Sequence, residues 1–472
     1  MNDLFAFFNQ KDNNEIINIF NYLKIKKSLV EKNLIKYVLT CIEPTTEAFF
    51  KKVISNSILY LSEKSRIKYF FSLLSKKRNN VKMSDKFRIN VDRYKAKAFY
   101  DKYNENSERI KDNELKEIIF GQVFHSFEKA KINDNEFLLN KDDRLFGVNL
   151  SGENAIDEGG PYHEVITYMC GELQSNYIDL FIKTPNNEDN VGLLRDKYIP
   201  NPNSNKNIDK NAYIFIGKLF AMALSSREAL NLYLHPIIWK GLLENEITFE
   251  DYESIDIHFY NLISKLEKGL KEKYINLFNY YDIIFEIKNS NKSSIELKEN
   301  GSKIKVNFEN LEEFINLAKN KRINEIEIQM ECIKKVLYSV IDKNILKLLN
   351  WQQLEEMVCS KKVLDIQDFK EHTKYEGYNG NEEIIKWFWE WLEKSNETIQ
   401  MKYLKIVSGR ARLQKTGFGY KYNHTIKLVL NDLLPIGHTC FFSLDLPNYD
   451  SQKKFIEKIN CAIENCADIS DY

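Results

Sequence analysis

Glycine and proline are scarce, 17 and 8 in 472 residues, well under half of the combined share of about 12% usual in globular chains. Repeated tight turns are thereby excluded, and with them collagen-like, mucin-like and propeller architectures. Long helices joined by short connections remain. An excess of one charge is also lacking, since 68 Lys and Arg balance 68 Asp and Glu. No global field draws the chain to nucleic acid or to an anionic membrane. No apolar run approaches the ~20 residues of a membrane span, and the N-terminal MNDLFAFFNQKDNN has an acid where a signal peptide needs a base. The seven cysteines (41, 170, 332, 359, 440, 461 and 466) are odd in number and contain no CxxC pair. That pattern argues against a disulfide framework and against structural zinc, and it fits a reducing compartment, cytoplasmic or nuclear. No metal and no cofactor is expected.

What is present is ample apolar material: 43% hydrophobic residues, enough for two or three domains with their own cores. Residues 1 to 120 hold no glycine and one proline, Pro44, and their apolar positions recur at helical spacing. From Leu145 the punctuation changes. LFGVNLSGENAIDEGGPYHEVITYMCGEL contains five of the glycines, and Pro161 suits the first turn of a helix because its missing N–H would be unpaired there. A glycine-rich turn before a helix can cradle phosphate, but no lysine follows as in a P-loop and no GxGxxG is present, so a plain helix start is the preferred reading. YIFIGKLFAMALSS from Tyr213 is apolar on all sides, which predicts a core helix. Residues 246 to 329 are mixed, with a strand-like YYDIIFEI and a hairpin in IELKENGSKIKVNF turning at Asn300-Gly301. The last hundred residues predict a compact α/β lobe: the aromatic helix IIKWFWEWLEK, the loop SGRARLQKTGFGY, a strand TIKLVLN, a second strand TCFFSLDL, and a terminal helix capped by Asp450.

Chemistry is sought where the few turns are. Cys440 follows Pro435, Gly437 and His438 at the edge of an apolar strand. By parity with Phe442, Leu444 and Leu446 it reads as a buried strand cysteine. By its place on a loop edge, two residues from His438, it reads as a reactive thiol. Asp445 then falls on the opposite strand face, either free to take a proton or simply exposed. Arginine makes up only 11 of the 68 basic residues, so Arg410 and Arg412 stand out as groups able to grip a carboxylate bidentately, against the alternative of a solvated loop.

The run LPIGHTCFFSLDLPNYDS from Leu434 resembles the signature around the catalytic cysteine of HECT-type ubiquitin ligases. Eight further segments follow the family's order upstream: NVDRYKA, SGENAIDEGGPYHE, FIGKLFAMAL, HPIIWKGLL, ELKENGSKI, KYEGYNG, WFWEWLE and SGRARLQ. The resemblance covers roughly residues 85 to 472. It implies an α+β, bilobal architecture: a helical N-terminal extension (1–84), a large helical N-lobe (85–361) with a conjugating-enzyme-binding sub-domain (246–329), a hinge (362–368) and a C-lobe (369–472). It also implies that Cys440 accepts ubiquitin as a thioester from a charged conjugating enzyme and passes it to a substrate lysine. Asp445 would orient or deprotonate that lysine, while His438, Thr439 and Arg412 would hold the loop and the ubiquitin tail. Phe259, Ile263, Ile283 and Phe314 fall on the family's apolar contact positions for the conjugating enzyme, with core packing as the alternative for each. The family's threonine-glycine loop begins here with Ser408, and its phenylalanine fourth from the end is Ile469. The alternatives that remain are a cysteine hydrolase using Cys440 with His438 or His424, and a helical adaptor without transfer activity.

Overall fold

A computed structural model describes residues 67, 70–74, 87–103, 110–132, 144–153, 160–226, 228–273, 282–360, 364–413, 423–439 and 441–464. The chain divides into two compact units, residues 1–78 with 341–350, and residues 79–340 with 351–472. In the first, Phe70 and Leu74 are fully buried, and Asp342 caps the single turn Lys343–Leu346 by accepting from Asn344 N at 2.7 Å.

The second unit carries both lobes. Its N-lobe opens with β1 (Arg88–Val91), α1 (Arg93–Tyr103) and α2 (Ile119–Ala130), followed by β2 (Gly147–Leu150) and α3 (Gly160–Leu173). β1 and β2 pair in parallel. The buried Glu172 of α3 accepts from Ile119 N at 2.9 Å, from Phe120 N at 2.5 Å and from the Tyr100 hydroxyl. One carboxylate thereby satisfies the orphan donors at the start of α2 and ties three helices together.

After β3 (Phe181–Lys183) and its antiparallel partner β4 (Tyr198–Pro200) comes α4 (Asn207–Ser226), which is buried along most of its length, as its all-round apolar sequence predicts. Gly217 is what lets α4 lie against α8 (Glu327–Val340). A Cβ there would sit 2.4 Å from the Ile333 carbonyl oxygen. Alanine has the better helix propensity, by about 1 kcal/mol, but the clash is with backbone and the helices must part. Gly217→Ala is therefore expected to destabilise by about 1–3 kcal/mol, read as a lower denaturant midpoint at unchanged slope.

α5 (Pro236–Leu242) starts on His235, whose Nδ1 accepts from Ile237 N. Beyond it lie α6 (Ile257–Lys271), the antiparallel pair β5 (Glu286–Lys288) and β6 (Ser294–Glu296), and α7 (Leu311–Ile323). The hairpin expected around Asn300-Gly301 lies earlier in the chain. Asn289 Oδ1 accepts from Asn291 N and Ser293 N and so closes the loop between β5 and β6. Asn300 does adopt the left-handed conformation, φ 56°, but it leads into a single turn, Gly301–Lys303.

α9 (Trp351–Cys359) ends the N-lobe, and α10 (Ile366–Glu371), capped by Asp365, begins the C-lobe. Residues 361–363 lie outside the described residues. Leu364, within the 362–368 stretch expected as hinge, and Phe369 just after it belong to the C-lobe core. The C-lobe continues with β7 (Thr373–Glu376), α11 (Glu383–Lys394), α12 (Glu397–Ser408), β8 (His424–Val429), β9 (Ile436–His438), β10 (Ser443–Pro447) and α13 (Gln452–Glu464). Its sheet order is β7-β8-β10-β9, parallel except for β9. Phe369, Phe388, Tyr403, Leu444 and Phe455 form the core beneath it, each fully buried apolar side chain contributing about 1.5–3 kcal/mol. Two expectations change here. Ser451, not Asp450, caps α13, its Oγ accepting from Lys454 N at 3.4 Å, while Asp450 lies 3.7 Å from the Lys454 ammonium. The single strand TCFFSLDL is instead a turn followed by β10.

Candidate active site

That turn forms because His438 ends β9 and Phe441 N donates back to its carbonyl at 3.1 Å. Phe442 then takes a left-handed φ of 49° and tucks its ring against Phe369 and His424, which commits the chain to β10. Thr439 is half-buried in the turn. Cys440 lies outside the described residues, as does Ile469. The alternation that suggested a continuous strand through position 440 therefore does not extend back past Ser443.

β9 and β10 are antiparallel with His438 opposite Ser443 and Ile436 opposite Asp445. His438 and Asp445 are thus diagonal neighbours on one face, and His438 Nε2 is 2.8 Å from Asp445 Oδ2. The carboxylate accepts a hydrogen bond from Nε2–H and leaves Nδ1 as the basic nitrogen, which is how an acid fixes an imidazole tautomer. Around this pair Leu430, Leu433, Ile436 and Phe441 stand in solvent, Phe441 at 66% exposure.

His424, the other histidine considered as a base, is fully buried. Its Nε2 lies 2.8 Å from the Tyr403 hydroxyl and its Nδ1 3.1 Å from Thr373 Oγ1. Thr373 gives its own proton to the Phe369 carbonyl, so Nδ1 donates and Nε2 accepts. Both nitrogens are occupied and the ring has no path to a substrate. Burial pushes its pKa down to about 3, as burial does for His235, with Lys197 and Lys240 adding to the effect there. Both rings stay neutral in the folded chain but take up protons once unfolded, below about pH 6.5. The stability from keeping them neutral is complete above pH 6.5 and is lost as pH falls toward 3, by about 1.4 kcal/mol per pH unit for each. Denaturant melts at pH 7.5 and 5.5 are expected to show that loss, reduced by half in His424→Gln. Equal midpoints at the two pH values would contradict it.

The arginine loop lies elsewhere in the C-lobe. Gly409 ends α12 in the left-handed region, φ 71°. Arg410 then reaches the N-lobe, its Nε 3.2 Å from Glu228 Oε2 and its Nη2 2.6 Å from His163 Nε2. Arg412, 4% exposed, donates from Nη1 to the Cys359 carbonyl at 3.3 Å and lies 4.3 Å over the Tyr233 ring. Neither partner belongs to the His438–Asp445 pair, and the role suggested for Arg412, gripping a ubiquitin tail, requires it to leave this pocket.

A family model described as the HECT domain (ubiquitin-transferase) matches residues 167–470, more than half of the chain, including His424, His438, Asp445, Arg410 and Arg412. The chain belongs to the HECT-domain family. It is 29% identical over 337 residues to the human E3 ubiquitin-protein ligase HERC2, covering 70% of this chain and 7% of that protein. Identity to the human E3 ubiquitin-protein ligase NEDD4 is 31% over 329 residues, 67% of this chain and 24% of the relative. For the E3 ubiquitin-protein ligase pub1 of Schizosaccharomyces pombe it is 28% over 327 residues, 67% of this chain and 41% of the relative. The chain thus spans less than half the length of these relatives. The mixed helical and small-sheet architecture is the α+β, bilobal one of a HECT domain.

In this HECT domain the four apolar positions assigned to partner contact are unequal. Phe259, Ile263 and Phe314 are buried in the 246–329 sub-domain, where they serve its own core, and Ile283 is half-buried. A partner at this face would meet Ile283 and the half-buried Tyr260 and Leu262 before reaching the others. Beneath lies a residue the sequence reading missed, Arg322. It is 1% exposed and stands 4.5 Å over the Phe259 ring, donating to Asp256 at 3.1 Å, the Lys288 carbonyl at 3.0 Å and Ser290 at 3.1 Å. Its signal was available in the scarcity of arginine.

Proposed function

We propose that this chain is a HECT-type ubiquitin-protein ligase in which Cys440 carries ubiquitin between a conjugating enzyme and a lysine. The observation that supports this most directly is the His438–Asp445 pair, built into the turn that leads to Cys440 in a chain of the HECT family. In the first step the Cys440 thiolate attacks the thioester carbonyl of the charged conjugating enzyme. The carbon–sulfur bond to that enzyme breaks, its thiolate leaves, and a new thioester forms on Cys440. One thioester replaces another, so the exchange is close to isoenergetic and needs positioning more than driving force. His438, its Nε2 proton held by Asp445, offers Nδ1 to the thiol, and Thr439 shapes the turn. In the second step a substrate amine attacks the carbonyl, the Cys440 thiolate leaves, and the proton lost by nitrogen passes to Asp445. Arg412 would reach the ubiquitin tail after release from its N-lobe pocket.

The conjugating enzyme is assigned to the sub-domain of residues 246–329, and the reducing interior of the cell, cytoplasmic or nuclear, is the setting in which a thiol carrier stays free. A cysteine hydrolase that uses His424 is disfavoured because that ring is sealed in the core, and one that uses His438 would leave no ubiquitin adduct in the following assay. Incubating the purified chain with activating enzyme, conjugating enzyme, ubiquitin and ATP should give an adduct that survives denaturation and is removed by reducing agent. No adduct, with the conjugating enzyme nonetheless bound, would make the chain an adaptor and end this reading.

A further inference from the structure

The geometry points to an ionic latch between the lobes: Arg410 of the C-lobe, closed on Glu228 and His163 of the N-lobe, holds one resting pose and must open in each cycle of transfer. The cycle rests on the function proposed above; the closed pose does not.

Arg410 Nε lies 3.3 and 3.2 Å from the two Glu228 carboxylate oxygens, Arg410 Nη2 lies 2.6 Å from His163 Nε2, and His163 Nδ1 lies 3.0 Å from Glu228 Oε1. A guanidinium has only donors, so His163 Nε2 must accept. The imidazole is then neutral, with its proton on Nδ1 toward Glu228. Three groups from two lobes thus stand within 3.3 Å of one another around one cation and one anion. The side chains of Glu228 and Arg410 are 4% and 15% exposed. Burial pushes the Glu228 carboxyl up, but the Arg410 guanidinium beside it outweighs that and holds the carboxyl below its usual range.

Other contacts set the approach. Thr167 Oγ1 donates to the Gly409 carbonyl at 2.9 Å, Tyr233 donates to Glu397 at 3.1 Å, and Ser360 donates to the Leu413 carbonyl. A Cβ on Gly409 would stand 3.1 Å from the Gly160 carbonyl oxygen, so the backbones meet closely. Water can replace each of those hydrogen bonds at small net cost. The Arg410–Glu228 pair is different, because parting it strands two desolvated charges until both are rehydrated. Arg412, buried against the Cys359 carbonyl and the Tyr233 ring, is a second charge that must part with it, but Arg410–Glu228 is the pair of opposite charges among these contacts, and a C-lobe that must visit both a charged conjugating enzyme and a substrate has to break it.

The test uses the full chain with dyes on exposed Asp101 and Lys453, one per lobe, and reads interlobe distance by fluorescence energy transfer. Wild type is expected to give one dominant population. Arg410→Glu, which sets two carboxylates face to face, should shift the closed-to-open ratio by at least about tenfold, and adding Glu228→Arg should restore it. If Arg410→Glu cannot be purified folded, Arg410→Gln removes the charge and is read the same way. Multiple-turnover ubiquitin transfer should rise at least about threefold in the opened variant and return in the charge swap. An unchanged distance distribution in the single variant, or one the swap does not restore, overturns the latch. An opened distribution with unchanged turnover overturns its part in the cycle. Absence of any adduct in wild type would count against the proposed ligase activity and leave the distance result standing.

Discussion

Cys440→Ala is expected to abolish the reducible ubiquitin adduct, a loss of at least about 10³-fold in transfer. A free thiol near pKa 8.5 is a few per cent thiolate at neutral pH, and no methyl group can replace that nucleophile. Cys170, Cys359 and Cys332 are poor substitutes. Cys170 and Cys359 are fully buried, and burial pushes the Cys359 thiol up to about 12 and Cys170 further. Cys332 is partly buried and is also pushed up by desolvation. Cys440→Ser makes the measurement sharper. A hydroxyl that accepts ubiquitin forms an oxyester, stable to reducing agent and cleaved by hydroxide, so the adduct's sensitivity changes with the atom at position 440. A thiol-sensitive adduct of normal yield on Cys440→Ala would move the chemistry to another sulfur and sink the assignment.

Much of this was legible in the residues, and the failures have physical causes. The buried helix α4 follows from an apolar pattern on all sides, and the start of α3 follows from Gly160 and Pro161. The order of segments carried the resemblance to the HECT family, which the family match shows. Local pattern could not show that Phe442 leaves the strand conformation. TCFFSLDL alternates well enough for a strand, and only the pull of the Phe369 and His424 rings on Phe442, from distant parts of the lobe, favours the turn. Phe259, Ile263 and Phe314 were offered as contacts because they fall on the family's contact positions, with core packing as the alternative for each, and residue type alone cannot separate the two since both need an apolar side chain. The meeting of GGPYHE with SGRARL was likewise invisible. Each segment stood out by its own composition, but His163 and Arg410 are 247 residues apart, and no local rule pairs a histidine with an arginine across that separation.

Asp445→Asn separates the two half-reactions. Asparagine keeps an oxygen that can accept the His438 Nε2 proton, so the tautomer and the turn should survive, and formation of the Cys440 thioester is expected to stay within about twofold of wild type. The negative charge is lost, and with it the acceptor for the lysine proton. An ammonium has no lone pair, and a solvated lysine near pKa 10.4 is almost wholly protonated at pH 7. Single-turnover discharge to free lysine should therefore fall by about 10²-fold, the usual range for removing a positioned base. Its pH dependence carries the second half of the argument. In the variant only spontaneously deprotonated amine can react, so the discharge rate should rise about tenfold per pH unit between 7 and 9, and the gap to wild type should narrow as pH rises. If both half-reactions fall together, with a pH-independent deficit, Asp445 is a pin that holds His438 in place. The proton must then leave the amine by way of solvent or His438.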